Sequence, residues 1–465
     1  MSFTVAISTL GCRLNQVESQ EMLALLEGHG FRVPAGSEPA DVYVVNTCTV
    51  TGRADFSDRQ LIRRIARERP DAVLIVTGCY AQTDAEAVAR ISGVHLVVGN
   101  QEKYRLPELL APLLADRRAR LGPEIRVAPI AEARAVPVAP FAKVTGRSRA
   151  FVKVQDGCQH RCAFCIVPAA RGGSRSQDPT VVLDQVQALV EAGYREVTLT
   201  GVDMGHYGWD LAPRTTLAAL IGRLVEVRGL RWLRLSSVLP AYFTRGLLEV
   251  VAGSPVVAPH LHIPLQSGSD RILRLMRRPY NTRMYRALVE RLAAQIPELG
   301  LGTDLIVGHP GERDEDFART LDLVGELPFS YLHVFSYSDR KGTESTRLGE
   351  RIPPRVIAER SRALRALGKE KGLAFRRGLV GQRREILVLE ARDRATGLRA
   401  GLTANYVEVL FTGTESPARR FVTVIVTEAT ADRTVGILAG AGGILAGAGA
   451  VVAETELVTA EAIPA

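Results

Sequence analysis

Three cysteines, Cys158, Cys162 and Cys165, stand with three and then two residues between them, so their thiols can face one small object. Thiolates gathered at such a spacing bind a soft metal or an iron–sulfur centre. Two duller readings compete with this one. Three is an odd number for disulfides, and Gln159, His160 and Arg161 make the segment too polar for a core strand. A structural zinc site would want a fourth cysteine or a well-spaced histidine, and His160 lies inside the loop, poorly placed for the task. On a cubane of four irons, three protein ligands leave one iron open, and chemistry could happen there.

The other three cysteines, Cys12, Cys48 and Cys79, are scattered in sequence, but each stands at or next to the end of an apolar, β-branched run, at 3–10, 41–47 and 72–78. Each run reads as a buried strand, and helical patterns, such as those at 19–26 and 58–69, lie between them. The order βαβαβ predicts a parallel, doubly wound α/β sheet whose strand carboxyl ends share one ligand-binding edge. A single cysteine is commonly a small core hydrophobe. Three at equivalent strand ends predict a second cluster with a free coordination site, and hence roughly eight irons and eight sulfides per chain after reconstitution rather than about four of each.

With 465 residues, 46% of them hydrophobic and 23% charged, the chain has an ordinary globular composition and room for roughly two to four domains. The net charge of +9 favours a polyanionic partner without requiring one. No basic n-region or small-residue cleavage site opens the sequence, so a cytoplasmic protein is expected, and six reduced thiols suit cluster binding better than a secreted disulfide framework.

The elements that must position these cysteines fall into blocks. Residues 1–122 hold the first sheet, and 123–145 form a Pro-rich stretch without periodicity that reads as a linker. Over 146–374, strands at 150–155, 196–200, 232–236, 260–264, 302–307 and 331–335 alternate with helices, the count of a partial (β/α)6 barrel with its site at the C-terminal strand ends. Those ends are polar and glycine-rich, at Gly201-Val202-Asp203, Ser236-Ser237, Gln266-Ser267-Gly268-Ser269 and 308–312. One glycine there makes only a turn, whereas several together suggest backbone approaching a ligand. Over 375–438, runs at 384–389, 397–411 and 421–427 without helices predict a small antiparallel β-barrel of the oligonucleotide-binding type, carrying Arg383, Arg384, Arg392, Arg394, Arg399, Arg419 and Arg420. Arg59, Arg63, Arg64 and Arg67 on the helix at 58–69 read as a solvated face or as an RNA contact. Residues 439–465 form a low-complexity tail, in which the segment 436–442 recurs as 443–449. Its uncharged stretch is long enough for a membrane span, but Gly and Ala contribute little to insertion, so a flexible extension without a membrane role is expected, although part of the stretch could close the barrel.

The central run resembles the C-x3-C-x2-C signature of radical S-adenosylmethionine (SAM) enzymes, down to the aromatic Phe164 before the third cysteine. Thr-Leu-Gly-Cys-Arg-Leu-Asn-Gln at 9–16, Asn-Thr-Cys-Thr-Val-Thr at 46–51, Thr-Gly-Cys-Tyr-Ala-Gln at 77–82, His-Ile-Pro-Leu-Gln-Ser-Gly-Ser at 262–269 and the C-terminal barrel, which is similar to a TRAM domain, resemble the radical SAM methylthiotransferases in the same order. The resemblance implies a transferase with two 4Fe–4S clusters. The cluster on Cys158, Cys162 and Cys165 would cleave SAM to a 5′-deoxyadenosyl radical that takes hydrogen from carbon 2 of an adenine. The cluster on Cys12, Cys48 and Cys79 would carry the sulfur that a second SAM methylates. Phe164, Gly201, Asp203 and Gln266 are the candidate SAM contacts, tRNA is the expected partner, and a flavodoxin or ferredoxin is the expected reductant. Carbon 2 offers no acidic proton, so the lack of an evident Ser/His/Asp or paired-carboxylate site agrees with radical chemistry.

Of three substrate classes in that family, residues 46–51, followed by Ala54-Asp55 and Arg59-Gln60-Leu61-Ile62-Arg63-Arg64, look most like the enzymes for N6-threonylcarbamoyladenosine (t6A) at position 37 of tRNA. Isopentenyladenosine in tRNA and an aspartate of a ribosomal protein are the alternatives, and a non-enzymatic iron–sulfur RNA-binding module would lack any use for an open iron. Two features depart from the family pattern: His309 stands where Phe is expected between Gly308 and Pro310, and the Gly/Ala tail is additional.

Overall fold

The computed structural model describes residues 3–34, 38–115, 122–138, 147–412 and 418–439. The first sheet contains five parallel strands in the order β1 (Val5–Thr9), β2 (Val42–Thr47), β3 (Val73–Gly78), β4 (Leu96–Val98) and β5 (Glu124–Arg126). Helices α1 (Arg13–Gly28) and α5 (Leu106–Ala115) cover one face through Met22, Leu26, Leu106 and Leu110. The opposite face packs against α2 (Gly52–Glu68), α3 (Cys79–Thr83) and α4 (Ala85–Ala89) through Ile62, Ile65, Tyr80 and Val88. After α1 the chain first pairs Arg32 in parallel with Thr4, on the side of β1 away from β2, and only then crosses to β2. The winding therefore reverses between β1 and β2. That reversal makes the sheet doubly wound and opens a crevice at the carboxyl ends of these two strands, where Cys12 and Cys48 stand.

β5 comes from the stretch read as linker. Glu124, Ile125 and Arg126 pair with β4, so the sheet extends into 123–145. Three-residue strands such as β4 and β5 are too short to show periodicity in the sequence.

The central unit follows the expected six β/α repeats, with β6 (Ala150–Lys153), the small hairpin β7 (Gln155–Asp156) and β8 (Arg175–Ser176), and then β9 (Glu196–Thr200), β10 (Trp232–Leu235), β11 (His260–His262), β12 (Gly300–Val307) and β13 (Tyr331–Ser336). β10-β9-β6 and β11-β12-β13 are two parallel ribbons, joined where Leu233 bridges Val257 and Ser237 bridges His262. One continuous apolar core runs beneath both ribbons, from Val152 through Leu233 to Val307.

After the helix Pro354–Arg377, five strands close a small barrel in the order β14 (Arg383–Arg392), β15 (Arg399–Thr403), β16 (Glu408–Thr412), β18 (Thr434–Leu438) and β17 (Phe421–Ala429). The run at 397–411 is two strands, divided by a turn in which Tyr406 has a φ of 71°. β18, from the start of the Gly/Ala segment, closes the barrel and runs parallel to β16, so the barrel is not purely antiparallel. The barrel docks on the central unit through Trp232 edge-on to Phe421 and through Arg384 paired with Glu298. The rest of the tail, from residue 440, lies outside the described residues, as does part of the linker at 139–146. None of the described helices is long and apolar enough to cross a membrane.

Candidate active site

Cys48 and Cys79 follow β2 and β3 directly, and Cys12 follows β1 and caps the start of α1. Gly11 has a φ of 102°, and a side chain there would meet Cys48 Cβ at 2.6 Å and Sγ at 2.9 Å. Only glycine lets the first two cysteines approach each other in this way. The Cys48 N–H donates to Asp58 Oδ2 at 3.0 Å, which fixes the second cysteine from behind.

The central loop is fastened by its backbone. Cys158 N–H donates to Gly172 O at 3.0 Å, Ala163 N–H to Met276 O at 3.1 Å, and Cys165 N–H to Cys162 O at 3.1 Å. Gly157, with a φ of 74°, passes so close over Gly173 that a β-carbon has no room.

All six cysteines line one cavity of about 650 Å³, together with the four candidate SAM contacts Phe164, Gly201, Asp203 and Gln266. What turns the two trios toward each other is a buried network between the first sheet and the central unit. Glu18 lies 2.7 Å from Lys103, 2.8 Å from Arg171 and 3.7 Å from Lys153. Glu21 takes Lys153 at 3.0 Å, and Asp156 takes Arg171 at 3.1 Å and Arg175 at 3.6 Å. Burial alone would raise the Glu18 carboxyl, but Arg171, Lys103 and Lys153 outweigh it and hold that group well below the usual range. Four cations here face three carboxylates, and the remaining positive charge lies beside Cys79, where it favours the thiolate of that residue.

The donor set fits iron–sulfur clusters. Burial pushes the Cys48 thiol up to about 12 and the Cys165 thiol up to about 11, and raises Cys79 and Cys158 as well. Such thiols become thiolates when a cationic centre coordinates them. Among the described residues, neither trio brings its three sulfurs within 4.8 Å of one another, so both are spread wider than one tetrahedral ion would hold them. The cavity also fits a polar ligand beside the central trio. Asp203 Oδ1, Gln266 Oε1 and Arg278 Nη2 are buried without a hydrogen-bond partner, and Gln266 has a φ of 71°. The other carboxylate oxygen of Asp203 lies 3.8 Å from Cys158 Sγ, while His160 turns away from the thiols to the Tyr242 hydroxyl at 2.8 Å.

Several cavity residues were not singled out from the sequence. Arg278 donates to Cys162 Sγ at 3.2 Å and to the Tyr280 hydroxyl at 2.9 Å. His262 and His333 both donate to Asp304 Oδ1, at 2.9 and 3.2 Å, and these hydrogen bonds outweigh burial and hold Asp304 anionic. Tyr406 reaches in from the C-terminal barrel and stacks on His260 with ring centroids 4.2 Å apart. His262 stood in the sequence only as the first residue of the motif at 262–269, whereas Tyr406 in its turn offered no signal.

The arginine-bearing surfaces divide. Arg63, Arg64 and Arg67 are exposed on α2. On the barrel, Arg383, Arg392, Arg394 and Arg420 are exposed, while Arg384 is spent on Glu298 and Arg419 lies over the Tyr194 ring at 4.6 Å.

A cluster-binding loop on a partial β/α barrel defines a radical SAM protein, and the family models agree: residues 152–324 match the Radical SAM superfamily, and residues 4–99 match Uncharacterized protein family UPF0004. The chain is 38% identical over 92% of its length to "Threonylcarbamoyladenosine tRNA methylthiotransferase MtaB" of Bacillus subtilis, covering 94% of that protein. It is 36% identical over 93% of its length to "tRNA-2-methylthio-N(6)-dimethylallyladenosine synthase" of Acidothermus cellulolyticus, covering 88% of it. Among solved structures, the radical SAM methyltransferase TsrM of Kitasatospora setae shares the fold at a TM-score of 0.53 and 16% identity, over 72% of this chain and 73% of that one. The chain belongs to the radical SAM methylthiotransferases that act on tRNA.

Proposed function

We propose that this enzyme methylthiolates carbon 2 of N6-threonylcarbamoyladenosine at position 37 of tRNA, using two 4Fe–4S clusters and two molecules of SAM. The observation that carries the reading is the single cavity in which both cysteine trios meet. Cys158, Cys162 and Cys165 would hold one cluster and Cys12, Cys48 and Cys79 the other. When bound, the clusters and SAM would supply a 5′-deoxyadenosyl radical and a sulfur donor within one cavity. Around them the residues of the chain bind and orient. The unpartnered oxygens of Asp203 and Gln266 can accept from the amino group and ribose of SAM, and the free Nη2 of Arg278 can take its carboxylate. Phe164 and Gly201 line the same end of the cavity.

The threonylcarbamoyl substrate is supported by the sequence at 46–64 and by a wall rich in polar groups: Arg13, His262, Asp304, Tyr331 and His333. Methylthiolation of isopentenyladenosine is the second reading, because a relative named for the dimethylallyl substrate is 36% identical, close to the 38% of a relative named for the threonylcarbamoyl substrate. We infer a cytoplasmic enzyme with a flavodoxin or ferredoxin as reductant. Nucleoside mass spectrometry of tRNA from cells lacking the chain tests the reading. Loss of the methylthio group from t6A, with t6A itself retained, is expected. Unchanged methylthio-t6A would count against it.

A further inference from the structure

The charge census of the cavity leaves two guanidinium groups without a carboxylate partner among the described residues. Arg171 has carboxylate partners in Glu18 and Asp156. Arg278 stands beside Cys162, at the central trio. Arg13 is the other; it follows Cys12 in the chain and lines the same cavity. Three guanidinium groups gather round the ring of Tyr406, at 5.0 Å for Arg234 and 5.6 Å for Arg149 and Arg13. Arg234 and Arg149 share Glu196, at 2.9 and 3.8 Å. Arg13 instead donates to the Tyr406 hydroxyl, which aims it and leaves its charge uncompensated. A guanidinium has five N–H donors, and a partly buried one without an anion is costly unless a ligand supplies the anion.

This inference rests on the substrate reading above. Threonylcarbamoyladenosine differs from both isopentenyladenosine and plain adenosine by a free carboxylate on its N6 substituent. Carbon 2 and the carbon bearing N6 are separated by one ring nitrogen, so a base that presents carbon 2 to the trio at Cys12 keeps that substituent near the residue following Cys12. We propose that Arg13, oriented by Tyr406, binds the carboxylate of the N6 side chain and so selects carboxylate-bearing adenosines over alkylated ones. An apolar substituent would desolvate Arg13 and return nothing, and a site built for a polar group rejects analogues that lack it far more strongly than an apolar pocket rejects a misfit.

The test measures binding to the reconstituted chain of anticodon stem-loop RNAs carrying t6A, isopentenyladenosine or unmodified adenosine at position 37. Wild type should bind the t6A RNA about 10- to 100-fold more tightly than the unmodified RNA, the range for charge-assisted hydrogen bonds. Arg13→Leu should bring that ratio to near one, and Arg13→Lys should keep part of it. Iron and sulfide content equal to wild type reports that each variant has folded, and Arg13→Gln, closer in shape, serves if Arg13→Leu does not. A t6A preference that survives Arg13→Leu or Arg13→Gln would overturn the assignment of Arg13 and leave the substrate reading standing. A wild-type preference for the isopentenyl RNA would overturn both.

Discussion

Replacing Glu18 by Gln removes the anion at the centre of the network that docks the first sheet on the central unit. Its carboxylate is 1% exposed and lies within 2.8 Å of both Lys103 and Arg171. One such pair is worth about 6 kcal/mol gross at an effective dielectric near 20. Most of that offsets desolvation, and breaking a buried pair costs about 3–5 kcal/mol net, because the partners stay buried without compensation. Here Glu18→Gln leaves four cations facing only Glu21 and Asp156. The first thermal transition should fall on the order of 10 °C, followed by calorimetry at neutral pH. The folded-state pKa of Glu18 is depressed, so its contribution is complete above the ordinary value of 4.5 and is lost as pH falls through the folded-state value. The gap between wild type and variant should therefore stay constant from neutrality down to about pH 5.5 and shrink below about 4.5. Loosened docking should also part the two trios, so methylthiolated product should fall more than 5′-deoxyadenosine. A variant that melts within about 2 °C of wild type and keeps its ratio of the two products would refute the reasoning.

Other outcomes follow from the same geometry. Cys158→Ala, Cys162→Ala or Cys165→Ala should abolish all turnover, whereas alanine at Cys12, Cys48 or Cys79 should remove roughly half the iron and sulfide while leaving SAM cleavage measurable and stopping sulfur insertion; anaerobic iron analysis and 5′-deoxyadenosine assays read both. His309 is fully buried with Nε2 unpartnered, and burial lowers its pKa to about 4 from 6.5. The unfolded chain then binds a proton that the folded chain refuses, so stability is lost as pH falls from 6.5 toward 4. His309→Phe should relieve about 2 kcal/mol of that loss at pH 5, and denaturant melts at pH 5 and 7.5 that show the same wild-type–variant difference would contradict this.

The strands that bear cysteines were legible because apolar β-branched runs end at each thiol, and the six barrel units because their strands recur between helices. The docking network was not. Glu18, Lys103, Lys153 and Arg171 are single charged residues in segments where charges normally face water, and only tertiary packing, that of α1 against β6 included, makes them interior. His262, Asp304 and His333 come from three adjacent strands, β11, β12 and β13, and their convergence depends on a register that local sequence does not state. Tyr406 belongs to a turn of a separate barrel, and its place in the cavity follows from how that barrel docks. Arg13 was visible only as part of a motif. Its unpaired charge becomes evident once Glu196 is seen to serve Arg234 and Arg149.

The proposed reaction inserts a methylthio group into threonylcarbamoyladenosine in the cavity that both cysteine trios line. Purified, anaerobically reconstituted chain, supplied with SAM, a reductant and a sulfur source, should convert tRNA bearing t6A to its 2-methylthio form, with formation of 5′-deoxyadenosine, as read by nucleoside mass spectrometry. Methylthio groups appearing instead on isopentenyladenosine or in ribosomal protein, or 5′-deoxyadenosine formed without any methylthiolated nucleoside, would contradict it.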